Sequence, residues 1–208
     1  MKRIGILLLS AILIFSLAAC QNSSSSSSSA SSETLGDMVD DILPDGDYSQ
    51  LRTGLGIASN TAGSSIASAD TPGSANFNVT VCALTLQPDG SIVDIRFDTV
   101  EAGLGFDAAG AMSGDWSREI QTNRELGDEY GIRATSGIDR EWYEQIASLE
   151  DWMRGKMVPD VLKMKLTARE SDGMQIPDEE DLRTLVNIPV SDQLAALQKA
   201  YADAQRAG

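Results

Sequence analysis

Acidic side chains dominate the residues that could do chemistry in this chain of 208 residues. It carries 31 Asp and Glu against 16 Lys and Arg, and it has no histidine. Without histidine there is no Ser-His-Asp triad, no Cys-His nucleophile pair and no His-ligated metal site. Adjacent acids such as Asp40-Asp41 and Glu179-Glu180-Asp181 are expected from this composition and are typical of solvated loops. We therefore predict no catalytic residue among them.

Two other motifs have suitable residue types but the wrong spacing. In Asp45-Gly46-Asp47 the glycine is misplaced for a calcium loop, and no bidentate acid closes that loop. Gly54-Leu55-Gly56 lacks the third glycine and the following helix of a dinucleotide-binding loop, and no nucleophile elbow is present. The sequence therefore predicts no dedicated metal site, and it favours a protein that is not an enzyme.

Ser136 and Gly137 are the strongest candidates for binding an anion. Ser136-Gly137-Ile138-Asp139 fits a capping box, in which a hydroxyl and an acid three residues later cap a helix. The N-terminus of a helix presents unpaired N–H groups and a positive dipole end, which attract anions. Two interpretations remain open at this point: a phosphate-binding helix start, and a helix cap without a ligand.

Hydrophobic periodicity predicts the two helices of the domain. After Ser136, four apolar residues recur at helical spacing before a stop at Gly155: Trp142, Ile146, Leu149 and Met153. A last helix is predicted over residues 192–206, capped by Ser191 and rich in alanine on its remaining faces. A short helical turn is also expected at Pro159.

An antiparallel hairpin is predicted over residues 77–100. Its second strand alternates, with Val93, Ile95 and Phe97 on the buried face. Pro88-Asp89-Gly90 supplies the residues of a tight reversal. Further extended segments are expected at residues 51–58, 161–168 and 182–190, with loops at 60–74, 101–116 (apart from a short strand near 104–106) and 170–181. Together these elements predict an α+β domain, in which an antiparallel sheet packs with two main amphipathic helices.

The N-terminus has the layout of a secretory signal. Lys2 and Arg3 precede an apolar run, residues 4–17, that is too short to span a membrane comfortably. Leu17-Ala18-Ala19-Cys20 resembles the lipobox of bacterial lipoproteins. That resemblance implies cleavage after residue 19 and attachment of lipid to the Cys20 thiol. An ordinary signal peptide that ends in a chance cysteine is the alternative.

Residues 20–32 are predicted to be a flexible Ser-rich tether, because they include seven consecutive serines and no recurring apolar residue. The globular domain is then residues 33–208, and Cys82 is expected to be a buried core residue without a disulfide partner. Cleavage would change the formal net charge from −15 to −17, since residues 1–19 hold two basic residues and no acid. Such a charge argues against nucleic-acid binding.

Three segments resemble a group of surface lipoproteins from Gram-positive bacteria, which are similar in turn to the FMN-binding domain family. These segments are Glu125-Leu126-Gly127-Asp128-Glu129-Tyr130-Gly131, Ala134-Thr135-Ser136-Gly137-Ile138 and Glu141-Trp142-Tyr143-Glu144-Gln145. Asp45-Gly46-Asp47-Tyr48, the Gly54/Gly56 strand and the 88–95 turn and strand also fit the layout of that family. The resemblance covers residues 45–156, and it implies that Ser136, Gly137 and Thr135 lie near a flavin phosphate.

The chain departs from the family where covalently flavinylated members carry a threonine acceptor after Ser-Gly. Here Ile138 and Asp139 follow Ser136-Gly137, and Ile138 has no hydroxyl to form a phosphoester. The resemblance therefore implies at most non-covalent FMN.

The leading hypothesis is a membrane-anchored extracytoplasmic lipoprotein, held at the outer face of the cell membrane by acylated Cys20. Its FMN-binding-like domain would act as a non-enzymatic binding or interaction module for a small-molecule or protein partner that the sequence does not identify. The alternatives are a flavin-binding electron-transfer protein and an adhesion or envelope-structural lipoprotein.

Overall fold

The computed structural model describes residues 50–113 and 119–206. A four-stranded antiparallel sheet has the order β1-β2-β3-β4, with β1 over Arg52–Asn60, β2 over Gly73–Leu86, β3 over Ile92–Phe106 and β4 over Met112–Ser113. Two helices of more than three turns pack with it: α2 over Trp142–Met153 and α4 over Ser191–Arg206. The predicted α+β class is thus confirmed. The signal peptide, Cys20, the tether, the Asp45–Tyr48 turn and the start of the domain at residue 33 lie outside the described residues.

The hairpin of β2 and β3 is confirmed, and it is longer than predicted. Gln87 and Ser91 close the turn with a 2.9 Å backbone hydrogen bond, and Gly90 adopts a φ of 91°, which glycine reaches without strain. Pairing extends to Gly73 opposite Phe106. Residues 73–74 of one predicted loop therefore belong to β2, and residues 101–103 of another belong to β3. These parts of the strands were not predicted, because they are rich in residues of low β-propensity, such as Gly, Ala and Ser.

Val93 is not on the buried face as predicted, because a β-bulge changes the register next to it. The register shifts at this end of the hairpin, so that Leu86 pairs with Ile92 while Thr85 pairs with Asp94. Ile92 therefore takes the buried position that alternation assigned to Val93, which is half-buried. Ile95 and Phe97 are buried as expected.

Helix α4 lies directly against β1, because small residues face each other across the contact. A methyl group on Gly54 or Gly56 would overlap backbone atoms of α4. The facing positions of the helix are buried alanines at four-residue spacing: Ala196, Ala200 and Ala204. The side chains of α4 also cover the free edge of β1, since Asp203 accepts from the Leu55 N–H at 3.0 Å and Lys199 donates to the Ile57 carbonyl at 2.6 Å. An otherwise open strand edge is thereby satisfied.

Helix α2 packs on β3 through a buried carboxylate. Glu150 has no exposed surface and accepts from the Phe97 N–H at 2.6 Å and from Arg124 Nη2 at 2.5 Å. Arg124 also donates to the Phe97 carbonyl at 2.7 Å. It belongs to a one-turn helix, α1 (Asn123–Leu126), that is followed by a 3₁₀ turn over Gly127–Tyr130. Both polar groups of Phe97 on the free edge of β3 are therefore hydrogen-bonded.

The remaining elements are short, and they correct the predictions for residues 161–168, 170–181 and 182–190. Only residues 166–168 of the predicted 161–168 segment form a strand, β5 (Leu166–Ala168), which pairs with β6 (Gln175–Pro177) in a separate two-stranded sheet. The one-turn helix at Pro159 is present as α3 (Val158–Val161). Residues 182–190 form turns and irregular chain rather than a strand, although alternate apolar residues there are buried: Val186, Ile188 and Val190.

The hydrophobic core lies between the sheet and the helices. Cys82 sits within it, as predicted, with no exposed surface, and burial raises the pKa of its thiol to about 12. The thiol is therefore protonated at neutral pH and chemically inert. Among residues 50–113 and 119–206, no helix is long and apolar enough to cross a membrane.

Candidate functional site

The inner face of the sheet changes from apolar to polar at one end, where a cleft opens. In register, Ala58 pairs with Thr80 and Thr80 with Thr99, and in the next row Asn60 pairs with Asn78 and Asn78 with Glu101. These side chains share the face of the buried Leu84 and Phe97, because positions two apart in a strand lie on one face. The polar end of the sheet forms the floor of the cleft.

The walls of the cleft come from four separate segments. The first turn of α4 supplies Ser191, Asp192 and Gln193, the start of α2 supplies Trp142, the segment after α1 supplies Tyr130 and Ile132, and the β5–β6 hairpin supplies Arg169, Met174 and Gln175. The volume of the cleft is about 680 Å³. That volume falls within the range of small-molecule sites, which is roughly 300 to 1,000 Å³.

One row of hydrogen bonds ties the floor to the first turn of α4. Asn60 donates from Nδ2 to Asp192 Oδ2 at 2.7 Å, and its own Oδ1 accepts from Asn78 Nδ2 at 3.2 Å and from the Ala62 N–H at 2.9 Å. The position of the helix start relative to the sheet is thereby fixed. The Oδ1 atom of Asn78 has no partner within the described part of the chain, so it remains available as an acceptor.

Gln193 contributes a side-chain amide to the cleft. The residue is 5% exposed and lines the cleft. Its amide makes no hydrogen bond to residues 50–113 or 119–206. A ligand in the cleft could therefore bond to both the donor and the acceptor of this amide.

The threonine pair in the floor also has spare capacity. Thr80 Oγ1 and Thr99 Oγ1 lie 2.9 Å apart and both residues are buried. One hydroxyl donates to the other, so one O–H hydrogen of the pair remains without a partner among the described residues. Both residues line the same cleft, so a ligand there could accept from this hydroxyl.

Glu101 and Tyr130 form a hydrogen-bonded pair at the edge of the cleft. Glu101 Oε1 accepts from the Tyr130 hydroxyl and from Asn123 Nδ2, each at 3.1 Å. Burial and the negative charge of Glu101 raise the pKa of Tyr130. The phenol is therefore a donor at neutral pH and not a phenolate. Tyr130 also contacts the indole ring of Trp142, with 6.3 Å between ring centroids.

Thr135, Ser136 and Gly137 do not line this cleft, and they do not start a helix. Helix α2 begins at Trp142, and its cap is Glu141, which forms a capping box with Glu144. The predicted box at Ser136 and Asp139 is therefore wrong. The carboxylate of Glu141 is the better cap, because it also accepts from the N–H groups of Ile132 and Arg133 at 3.0 and 2.9 Å and fastens the preceding turn.

The hydroxyl of Ser136 is fully used within its own turn. It donates to the Arg133 carbonyl at 3.0 Å and accepts from the N–H groups of Ile138 and Arg140, each at 3.3 Å. Thr135 and Gly137 are exposed, and Gly137 has a φ of 77°. A phosphate would have to displace the bonds that Ser136 makes. No observation tests the predicted role of these three residues in binding FMN, and it stays a prediction.

A single side chain connects this turn to the segment that borders the cleft. Asn187 donates from Nδ2 to the Ser136 carbonyl at 2.5 Å, and its backbone N–H donates to Gln145 Oε1 at 2.8 Å. Ile188 and Pro189, the next two residues, line the cleft. The Ser136 turn therefore supports one wall from behind.

The residues of the cleft could in part have been found from the sequence. The alternation of β3 continues past Phe97 to Thr99 and Glu101, so the inner face is seen to turn polar. Gln193, Arg169 and Tyr130 gave no such signal, because they come from segments that only the tertiary fold brings together. Among the described residues, no group of three metal-ligating side chains is found.

Comparisons with known proteins give one informative relative. No protein-family model matches the chain, and no solved structure matches it. The chain is 29% identical over 123 residues to a protein named chlorophenol reductase from Desulfitobacterium hafniense. The similar stretch covers 54% of this chain and 37% of the reductase, so the chain spans little more than a third of the length of that relative.

Proposed function

We propose that this protein is a lipid-anchored extracytoplasmic binding protein, whose globular domain takes a small molecule into the cleft without covalent chemistry. The anchor rests on the lipobox-like Leu17-Ala18-Ala19-Cys20 and the serine run that follows it. The binding role rests on one observation above all: Gln193 is buried, lines a cleft of about 680 Å³, and has no partner for its amide among the described residues.

The binding role is tested by removing that amide. Ligand uptake by the purified globular part, followed by equilibrium dialysis or by quenching of tryptophan fluorescence, is expected to weaken in Gln193→Ala. Gln198→Ala is the matched control, because Gln198 lies on the exposed side of the same helix. Equal binding by both variants and the wild type would count against the cleft as the site.

The anchor is tested separately with Cys20→Ala. Without the thiol no lipid can be attached, so the variant is expected in the medium or in unprocessed form. The wild type is expected in the detergent phase at mature mass. Ser23→Ala, three residues away, controls for a general effect of mutation on export. A Cys20→Ala protein that still partitions into detergent at mature mass would refute the proposed anchor.

A second candidate function is flavin-based electron transfer outside the cytoplasm. It is supported by the likeness to the chlorophenol reductase and by the resemblance of residues 45–156 to FMN-binding domains. Flavin absorbance in the purified protein, or its appearance after FMN is added, is the expected result. Colourless protein that does not take up FMN would remove this candidate and leave the binding role in place.

A further inference from the structure

We infer that the ligand of the cleft is an uncharged molecule with a flat apolar face and an edge of hydrogen-bond donors and acceptors, and that the cleft selects against anions such as phosphates. The inference rests on the proposed function, namely that the cleft binds a small molecule. It names the chemical class of that molecule from the charges, the hydrogen bonds and the apolar groups of the lining.

The charges of the lining favour a ligand without negative charge. Glu101 and Asp192 contribute carboxylates, and Arg169 is the one cation among the described residues that line the cleft. Arg169 is already neutralised, because its Nε and Nη2 atoms bond to the carboxylate of Asp172, and its Nη1 atom donates to the Asn187 carbonyl at 2.8 Å. An anion would therefore meet two carboxylates and no uncompensated cation.

The N-terminus of α4 does not reverse this preference. The helix has 16 residues, and its first turn lines the cleft, where the positive end of a helix dipole ordinarily attracts anions. Asp192 lies in that first turn, and its Oδ2 atom accepts a 2.7 Å hydrogen bond from Asn60 Nδ2. This carboxylate places a negative charge at the helix end, so a second negative group there would be repelled.

The free hydrogen-bonding groups require a partner with both donors and acceptors. Gln193 offers an amide with both functions, and the Thr80–Thr99 pair offers one donor. Asn78 Oδ1 and Glu101 Oε2 accept no hydrogen bond from the described residues. A ligand that only accepts would leave these oxygens unpaired, which carries a desolvation cost.

Apolar groups of the walls supply a surface for a flat ring. Ile132, Ile188 and Pro189 line the cleft together with Trp142. Burial of a ring face between such groups is favourable at roughly 25 cal/mol per Å² of apolar surface. The polar floor lies beneath these walls, so a ring with a polar edge can satisfy both.

The test uses pairs of ring compounds that differ by a phosphate: riboflavin and FMN, adenosine and AMP, and pyridoxine and its 5′-phosphate. Binding to the protein is measured by equilibrium dialysis at low and at high salt. At least one uncharged member is expected to bind about tenfold more tightly than its phosphate, a difference that high salt reduces. In the double variant Glu101→Gln/Asp192→Asn the two affinities are expected to converge.

A charge-matched control separates the lining from the overall charge. Asp70→Asn/Asp160→Asn removes the same number of charges from exposed positions outside the cleft and is expected to keep the wild-type preference. A phosphate that binds as tightly as its uncharged partner, or more tightly, would overturn the ligand class and leave the binding function standing. A panel in which no compound binds would overturn the proposed function itself.

Discussion

The carboxylate of Glu150, in the middle of α2, accepts a 2.6 Å hydrogen bond from the backbone N–H of Phe97 on β3. A side chain from a helix thus takes the place of a neighbouring strand at the edge of the sheet. Arg124 neutralises the charge at 2.5 Å and bonds the carbonyl of the same residue, Phe97. Three elements that are distant in sequence therefore depend on one buried carboxylate.

Loss of this carboxylate is expected to destabilise the fold strongly. Glu150→Ala leaves the Phe97 N–H without a partner and the charge of Arg124 unpaired in a partly buried position. Removing one partner of a buried ion pair costs about 3–5 kcal/mol. The free energy of unfolding, measured by urea denaturation, is expected to fall by that amount.

Asp151→Ala is the control for the Glu150 variant. Asp151 is the next residue, its side chain is 73% exposed, and it pairs with Arg154 at the surface. Exposed ion pairs contribute about 0–1 kcal/mol, so little change is expected. Similar losses for both variants would show that the Glu150 network is not a main support of the fold.

Gly56→Ala is expected to lift α4 from the sheet. The added methyl group would overlap the carbonyl oxygen of Ala196 and the nitrogen of Ala200, and neither backbone can move without displacing the helix. Overpacking of this kind costs about 3 kcal/mol, and thermal denaturation is expected to show a corresponding drop in Tm. Ser59→Ala, on the exposed side of the same strand, is expected to have almost no effect. A Gly56→Ala protein as stable as wild type would contradict the close contact.

Gln193→Leu is expected to weaken ligand binding without a loss of stability. Leucine is close to glutamine in size, and the amide that it replaces makes no hydrogen bond to the described residues, so the free energy of unfolding is expected to change by less than about 1 kcal/mol. Gln145→Leu is the matched control, since Gln145 is equally buried but donates to the Arg140 carbonyl at 2.9 Å and accepts from the Asn187 N–H at 2.8 Å. That variant is expected to lose stability. Destabilisation of both would show that Gln193 is paired in the folded protein.

Asp203 makes the contact between α4 and the edge of β1 depend on pH. The pKa of Asp203 lies below its ordinary value of 3.8, mainly because the carboxylate accepts from the Leu55 N–H and, to a smaller extent, because it accepts from Arg206. A lowered pKa in the folded state contributes stability above pH 3.8, and this contribution is lost as the pH falls through the lowered pKa. Asp203→Asn is therefore expected to be less stable than wild type at neutral pH, with a difference that shrinks in acid.

Urea denaturation of both proteins between neutral pH and pH values below 3.8 checks this expectation. Asp160→Asn, at an exposed position outside α4, is the control. A stability difference between wild type and Asp203→Asn that stays constant over the whole range would exclude the charge of Asp203 as its cause.

Patterns that are local in sequence predicted the elements that the structure confirms. The hairpin was predicted from the alternation of residues 94–97 and from the turn residues Pro88-Asp89-Gly90. Helix α2 was predicted from the spacing of apolar residues over 142–153. Each of these patterns depends only on residues that are close together in the sequence. The start of α2 was predicted too early, since the Ser136 pattern resembles a cap and the glutamate that caps the helix is an unusual choice for that position.

Residues 182–190 show why the other assignments failed. Their alternate apolar residues are buried, as in a strand, yet the segment joins no sheet among the described residues. Side chains of helices cover the free edges of β1 and β3, and the segment meets β6 through a single backbone hydrogen bond, from the Val190 N–H to the Gln175 carbonyl at 3.1 Å. Burial alone is enough to produce an alternating hydrophobic pattern, whereas a strand also needs the free edge of another strand to pair with. The availability of that edge is a property of the whole fold.

The sequence by itself determined the α+β class, the hairpin, the two long helices and the burial of Cys82, since hydrophobic periodicity and turn chemistry act over short distances. Only the tertiary structure decided where a ligand could bind. Asn60, Glu101, Arg169 and Gln193 span more than half of the chain, and none of them carries a local motif. They become a site because the sheet register and the packing of α4 place their polar groups around one cleft.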